Sequence, residues 1–250
     1  MAATLDREEV PETLPPLWHW VLFGAWVRPA ALGQDGHPAR GKFLPADPDL
    51  PRRMYAGGRL TFFGPLRAGD TATRRSVITR VEEKQGGSGR LLFVTVRHEI
   101  SGRDGLALIE DHDIVYRGPA GGSPKPSARY ADPPGAFQRT ISPDPVLLFR
   151  YSALTCNGHR IHYDRKYVTE VEGYPGLIVH GPLQATLLAE LAQRHAPARR
   201  LARFAFRAVR PVFDLEPFRL VGHWHGVSEA QLAVVDHAGR LCMRAEAAFE

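Results

Sequence analysis

Residues 151 to 188 concentrate the residue types that perform acid–base chemistry. His159 and His162 bracket Arg160 and Ile161, and a His180-Gly181-Pro182 sequence opens an amphipathic run further on. Histidine exchanges protons near neutral pH. The free N–H groups at a helix N-terminus can hold an oxygen on which negative charge develops. The segment therefore predicts acid–base chemistry on a carbonyl compound.

Two stretches of this segment resemble the motif of MaoC-type hot-dog enoyl-CoA hydratases. They are Asn157-Gly158-His159-Arg160-Ile161-His162-Tyr163-Asp164 and Val179-His180-Gly181-Pro182. In that family an Asp and a His flank a water and add it across a double bond conjugated to a thioester. A backbone N–H near a helix start steadies the enolate oxygen. The resemblance implies that His162 is the family's His and that Gly181 occupies the oxyanion position.

The chain departs from the family motif at two positions. Asn157 falls where the family has Asp, and His159 falls where it has Asn. An amide cannot act as a general base, although it can hold a water by hydrogen bonds. We therefore predict His162 as the main acid–base residue, with Asn157, His159 and Gly181 completing the catalytic set. A buried, purely structural His162 is the alternative, and His159 is open between a second proton carrier and a structural hydrogen-bonding group.

The residues around this motif are candidates for binding substrate or for shaping the loop. Asp164 could orient His162 or cap the short helix that follows it. Tyr163 is open between substrate contact and packing, and we expect His180 to shape the loop beside the substrate. Cys156 could be a nucleophile, but a small core residue is the more common role of a lone cysteine.

Arginines are the candidates for binding an anionic acyl group. A dicarboxylic acyl group needs its free carboxylate paired, and the guanidinium fork does this with two hydrogen bonds. We predict Arg59, which follows two glycines, as the first choice, and Arg53 and Arg160 as the others. A surface salt bridge is the alternative for each.

The composition limits the function classes. The chain has 250 residues and a net charge of +5, and its arginines are spread along the sequence rather than gathered in a tail or stripe. We therefore expect no nucleic-acid partner. The two cysteines and their surroundings lack zinc-ligand spacing, so no metal or cofactor is predicted. No run is apolar enough to span a membrane, and the N-terminus does not look like a secretory signal, so a cytoplasmic protein is expected.

The elements that must position these residues form two similar series. Strands are predicted at 58–65, 73–84, 90–101 and 105–117, followed by a Gly- and Pro-rich linker at 118–134. The second series has a strand at 146–153, a short helix at 164–172, a longer helix from 182 to about 195, and strands within 203–213, 218–227 and 231–249. An aromatic run at 17–27 is predicted as a short buried helix. The pattern predicts an α+β protein.

The chain has a Trp-rich start, an Arg53-Met54-Tyr55-Ala56-Gly57-Gly58-Arg59 stretch and a Pro65-Leu66-Arg67-Ala68-Gly69-Asp70 turn. With these features nearly the whole chain resembles fused double hot-dog hydratases that act on short dicarboxylic enoyl-CoA thioesters such as itaconyl-CoA or mesaconyl-CoA. The resemblance implies two hot-dog units, 1–125 with an N-terminal arm and 135–250 with the motif, each an antiparallel sheet wrapped on a helix. It also implies a CoA thioester partner and one active site per chain, and it leaves a homo-oligomer open. The alternatives are a 3-hydroxyacyl-thioester dehydratase and a non-catalytic binder of acyl thioesters. A thioesterase is disfavoured because Asn157 provides no carboxylate.

Overall fold

The computed structural model describes residues 1–39, 41, 43–86, 89–118 and 128–250. The strands within these residues are β1 (Arg52–Phe62), β2 (Thr73–Gly86), β3 (Gly89–Gly102), β4 (Gly105–Arg117), β5 (Phe137–Ile141), β6 (Leu201–Ala208), β7 (Phe218–His225), β8 (Glu229–Val235) and β9 (Leu241–Phe249). They form one nine-stranded sheet in the order β2-β3-β4-β1-β6-β9-β8-β7-β5. Every neighbouring pair is antiparallel.

The sheet consists of two halves in which four strands repeat one order, and β5 is added at the outer edge of the second half. In each half the first long strand, β1 or β6, lies beside the last strand of that half, β4 or β9. The halves join where β1 pairs with β6, with Gly58 opposite Phe206 and Leu60 opposite Phe204. An antiparallel pair has a local two-fold axis, so the two halves are related as the two units of a tandem hot-dog would be. Most of the predicted linker, residues 119–127, lies outside the described residues.

The long helix of the second half packs across the sheet. It is α2 (Gly181–Arg194), and it begins one residue before the predicted Pro182, a residue suited to a first turn. Its residues from 183 to 192 are all buried, against strands of its own half and against β1. Helix α2 therefore lies in the main core and presents its N-terminus to the junction of the halves.

The predicted strand at 146–153 is wrong, because these residues form helix α1 (Pro145–Leu154). The Asp144 side chain accepts a hydrogen bond from the Leu147 N–H, and Pro145 occupies the first turn. Both are helix-start signals. A short apolar run of this kind fits either element when its caps are not considered, and for this reason the run by itself predicts a strand.

The first half differs from the prediction of a helix under each sheet. Its described residues before β1 contain only short 3₁₀ turns, at Ala2–Leu5, Trp18–Val21 and Pro29–Ala31. In the aromatic run Leu17 and Trp18 are buried in the main core, whereas Trp26 is 68% exposed. The predicted helix at 17–27 is thus a single turn, and the segment after it runs along the surface towards the motif.

Candidate active site

The motif follows α1 and is shaped by tight turns. His159 precedes a 3₁₀ turn, Arg160–His162, and a π-helical turn follows at Tyr167–Val171. The Asp164 carboxylate accepts a hydrogen bond from the Tyr167 N–H at 3.0 Å and pairs with the Arg160 guanidinium. Asp164 therefore caps the short helix, the second of the two roles considered for it.

Three histidines predicted from the motif form a continuous row of rings. His162 stacks on His180 with ring centroids 3.7 Å apart, and His159 meets His162 edge-on at 5.5 Å. All three are buried. His180 is fixed at the far end by the Ser152 hydroxyl, 2.8 Å from its Nε2. The structure thus brings the predicted histidines together.

His162 is held in one tautomer as a neutral base. Its Nδ1 lies 2.7 Å from the carbonyl oxygen of Ile178. A carbonyl can only accept, so Nδ1 carries the hydrogen and Nε2 keeps its lone pair. Burial lowers the pKa of His162 to about 4, although the bond to the Ile178 carbonyl acts the other way. The imidazole is therefore unprotonated at neutral pH and able to accept a proton.

Gly181 is the first residue of α2, next to His180 in the row of rings. A Cβ added there would meet Tyr55 Cβ at 3.9 Å and Met243 Cε at 4.0 Å, which are ordinary contacts. The protein core therefore does not require glycine at this position.

The Asn157 side chain organises the motif loop. Its Oδ1 accepts a hydrogen bond from the backbone N–H of His159 at 3.0 Å, a local turn typical of Asn. Cys156 precedes it with a left-handed φ of 49°. Its sulfur packs towards Gly24, where an added Cβ would lie 2.7 Å from Sγ. The described contacts of Cys156 do not involve the histidine row.

Sequence reasoning missed two residues that extend the row, Asp35 and His37. His37 lies with its ring centroid 4.1 Å from that of His159, and its Nδ1 is 3.2 Å from Asp35 Oδ2. Their segment, residues 28–51, is rich in proline and glycine and has no clear periodicity, which predicts only an irregular connection. The signal that could have found them is an acid and a histidine flanking a glycine, in a chain whose motif lacks its expected carboxylate.

A cavity of about 450 Å³ opens beside His37 and His159. Three arginines, Arg52, Arg53 and Arg117, line it. Arg52 and Arg117 are directly opposite each other on β1 and β4. Arg52 pairs with Glu172 at 3.2 Å and Arg117 donates to the Tyr174 hydroxyl at 3.0 Å. Among the described residues, one buried nitrogen of each guanidinium, Nη1 of Arg52 and Nε of Arg117, has no hydrogen-bond partner. Asp35 and Glu172 line the cavity as well, so its lining has three arginines and two carboxylates.

The structure does not place Arg59 with this cavity. Arg59 makes a bidentate pair with Asp113 and is 53% exposed. Side chains alternate between the faces of a strand, so Arg59 lies on the face opposite its neighbour Leu60, which is in the core. It forms part of an ionic network on the outer face of the sheet.

The remaining predicted binding residues stabilise the motif loop. The Arg160 guanidinium donates to the Gln34 carbonyl at 3.2 Å and stacks over the Tyr167 ring. The Tyr163 hydroxyl donates to the Gly158 carbonyl at 3.0 Å, and the side chain is otherwise half exposed.

A buried carboxylate fixes the side chain of Tyr55, which lies near the start of α2. Glu110 accepts hydrogen bonds from Trp20 and Tyr55 and lies 3.0 Å from His19 Nε2. Burial raises the pKa of Glu110, but the hydrogen bond and charge of His19 outweigh it and bring the pKa to about 2. Glu110 is therefore ionised, and it holds the side chain of Tyr55, whose Cβ lies near Gly181.

Asp35, His37 and His159 are also the described residues whose ligand atoms lie close enough for a metal ion, within 4.8 Å of one another. In the structure Asp35 and His37 are hydrogen-bonded to each other, and the carboxylate is already used in that bond. Among the described helices none is long and apolar enough to cross a membrane.

This fold and this site define a double hot-dog enzyme of the hydratase and dehydratase class that acts on thioesters. The chain belongs to the hydroxyacyl-thioester dehydratase type 2 family, whose sequence profile matches residues 17–214.

Known proteins agree with this assignment. The chain is 50% identical over 230 residues to a mesaconyl-C(4)-CoA hydratase of Chloroflexus aurantiacus, covering 90% of this chain and 81% of the relative. It superimposes on HtdX of Mycobacterium tuberculosis with a TM-score of 0.71 at 18% identity, covering 99% and 92% of the two chains. A MaoC-like dehydratase of Phytophthora capsici gives a TM-score of 0.63 at 17% identity, covering 82% and 74%. The predicted α+β tandem hot-dog fold and the enzyme class are confirmed.

Proposed function

We propose that the protein adds water reversibly across the double bond of a short dicarboxylic enoyl-CoA, such as mesaconyl-CoA or itaconyl-CoA. The observation that carries this proposal is the 50% identity to mesaconyl-C(4)-CoA hydratase over most of the chain. The row of buried histidines ending at the start of α2 provides the chemistry that such a reaction needs.

The reaction requires two proton transfers and one stabilised oxygen. The water oxygen bonds to the β-carbon of the enoyl group while His162 Nε2 takes one of its protons. The electrons of the double bond move to the thioester oxygen, which the N–H of Gly181 and the dipole of α2 stabilise. The enolate then collapses as the α-carbon takes up a proton. Asn157 shapes the loop and His159 lies next to His162, so both support this base.

The free carboxylate of the substrate needs a cationic partner near the histidines. We assign this role to Arg53, as the sequence predicts, together with Arg52 and Arg117 in the same cavity. Paired guanidiniums recognise a carboxylate with several charge-assisted hydrogen bonds. The shape of the motif loop also affects substrate binding, and this shape is the contribution of Arg160, Tyr163 and His180. Arg59 is not assigned a role in binding.

We further propose that residues 1–125 and 135–250 are the two hot-dog units and that the chain has one site, at their junction. A homo-oligomer and a cytoplasmic location belong to the same proposal. The second candidate function is dehydration of a 3-hydroxyacyl thioester, which the family profile favours. It is the same reaction in the opposite direction, so the two share one site.

The experiment is a panel of itaconyl-, mesaconyl- and crotonyl-CoA, followed by absorbance of the conjugated thioester and by release of free thiol. Loss of the enone band with the thioester intact is the expected result, fastest on a dicarboxylic substrate. Thiol release would show a thioesterase, and binding without reaction would show a non-catalytic protein. His162→Ala should lower turnover about 10²–10⁴-fold. His225→Ala, at an exposed strand end, is the matched control.

A further inference from the structure

The loop from Gly33 to His37 contacts the motif so closely that the two loops form one unit. The backbone N–H of Arg160 donates to the Asp35 carbonyl at 2.9 Å, and the Arg160 guanidinium donates to the Gln34 carbonyl. Gly36 has a φ of +85°, and a Cβ added there would lie 2.0 Å from the Gly158 carbonyl oxygen. A Cβ on Gly158 would in turn lie 2.7 Å from the Gly36 oxygen. Only glycines allow this approach.

This contact holds a carboxylate–histidine pair against the histidine row. Asp35 accepts the His37 backbone N–H at 3.0 Å with one oxygen and faces His37 Nδ1 at 3.2 Å with the other. Both residues line the cavity, as His159 does. Burial raises the pKa of Asp35, but the hydrogen bond and charge of His37 outweigh it and leave the pKa below its usual value. The carboxylate is therefore ionised and stabilises a proton on His37.

We propose that Asp35 and His37 are the second acid–base group of this site and replace the carboxylate that Asn157 cannot provide. This inference rests on the proposed hydratase function. His37, as the imidazolium, gives its proton to the α-carbon of the enolate. Asp35 positions the His37 ring and stabilises its positive charge. Once the product leaves, His162 releases to solvent the proton that it took from water, and His37 takes up a proton from solvent through the cavity that it lines. The product has gained the elements of one water, and both histidines return to their starting states.

The arrangement of the row favours a proton on His37 rather than on His159. Rings are in contact from His162 to His159 and from His159 to His37, at 5.5 and 4.1 Å between centroids. Burial, followed by the charge of His37, lowers the pKa of His159 to about 2. A proton therefore does not stay on the middle ring, and the ionised Asp35 stabilises it at the end of the row.

The test compares His37→Gln and Asp35→Asn with the wild type on the mesaconyl-CoA substrate. Asp49→Asn, in an exposed loop, and His225→Gln are the matched controls. We expect His37→Gln to lower kcat about 10²-fold or more, the contribution of a general acid. Asp35→Asn should lower kcat less and should move the basic limb of the kcat–pH profile about one unit to lower pH, because an imidazolium without its carboxylate loses its proton more easily. Thermal melts check folding.

Other titratable or charged groups face this pair, and the kcat–pH profile must be interpreted with them. They are His159 and His162 in the row, Arg53 on β1, and Arg160 and Tyr167 beside the motif. Asp35→Asn leaves all of them in place, so a shift of the limb reports on His37. A purely structural role for Asp35 would lower the rate at every pH and leave the limb unmoved, which would overturn the proposal.

Two further outcomes would also overturn it. One is near-normal kcat in His37→Gln with an active wild type, which leaves the hydratase function standing. The other is loss of activity on dialysis against a chelator with recovery on adding Zn²⁺, which would make these residues a metal site. A folded wild type that hydrates no member of the panel would refute the proposed function itself.

Discussion

Replacing His162 by phenylalanine should weaken the acid sensitivity of the fold. Phenylalanine keeps a flat ring to stack on His180, but it cannot be protonated. In the wild type, the folded state holds His162 neutral and the unfolded state does not. The pKa falls from its ordinary 6.5 in the unfolded chain to about 4 in the folded protein. The unfolded chain therefore binds more protons between these two values.

The sign and size of the effect follow from linkage. A lowered histidine pKa contributes stability that is complete above pH 6.5 and is lost as the pH falls towards 4. Each pKa unit corresponds to about 1.4 kcal/mol, so His162 accounts for about 3 kcal/mol over this range. Wild type and His162→Phe both contain His159 and His180, whose contributions largely cancel in the comparison.

Urea unfolding at pH 7.5, 5.5 and 4.5 measures the difference. At pH 7.5 the variant should be less stable by about 1–3 kcal/mol, because the Ile178 carbonyl loses its donor. Between pH 7.5 and 4.5 the wild type should lose roughly 2.5 kcal/mol more free energy of unfolding than the variant. Parallel pH dependence in the two proteins would refute the assignment of a buried neutral His162.

The remaining predictions concern the loops and the cavity. Gly181→Ala should fold with an unchanged melting temperature, since a Cβ fits there, yet lower kcat, because its methyl group would crowd the enolate oxygen that the N–H holds; normal kcat would contradict the placement of that oxygen. Gly36→Ala should displace the loop and lower both kcat and the melting temperature, because its Cβ would overlap backbone; an unaffected variant would show that the loops are not locked. Arg117→Gln should raise KM for mesaconyl-CoA about tenfold or more, in line with loss of a charged hydrogen bond, and leave KM for crotonyl-CoA nearly unchanged. Arg59→Gln should change neither, and equal effects of the two arginines would remove the cavity as the carboxylate site. Asn157→Asp should keep the turn and most of the activity, whereas Asn157→Ala should lose activity through a disordered loop, as measured by kcat on the same substrate.

Local pattern was sufficient to predict most of the strands and the helix at the site. The four strands of the first half alternate and are separated by glycine-rich turns, so their positions follow from residues close together in sequence. Pro182 after Gly181 marks the start of α2 in the same way. Strand β5 was not predicted, and α1 was predicted as a strand, because short apolar segments carry too little periodicity to separate the two states.

The histidine row could be predicted only in part, for a physical reason. His159 and His162 are neighbours in the chain, and their motif places them without reference to the fold. Asp35 and His37 come to the row from more than 100 residues away, through the close approach of two glycines. The sequence alone thus determined that histidines stand beside the start of a helix. The pairing of strands and the packing of loops decided which carboxylate completes the site. They also decided which arginines line its cavity rather than the outer face of the sheet. Both are tertiary contacts that no local pattern encodes.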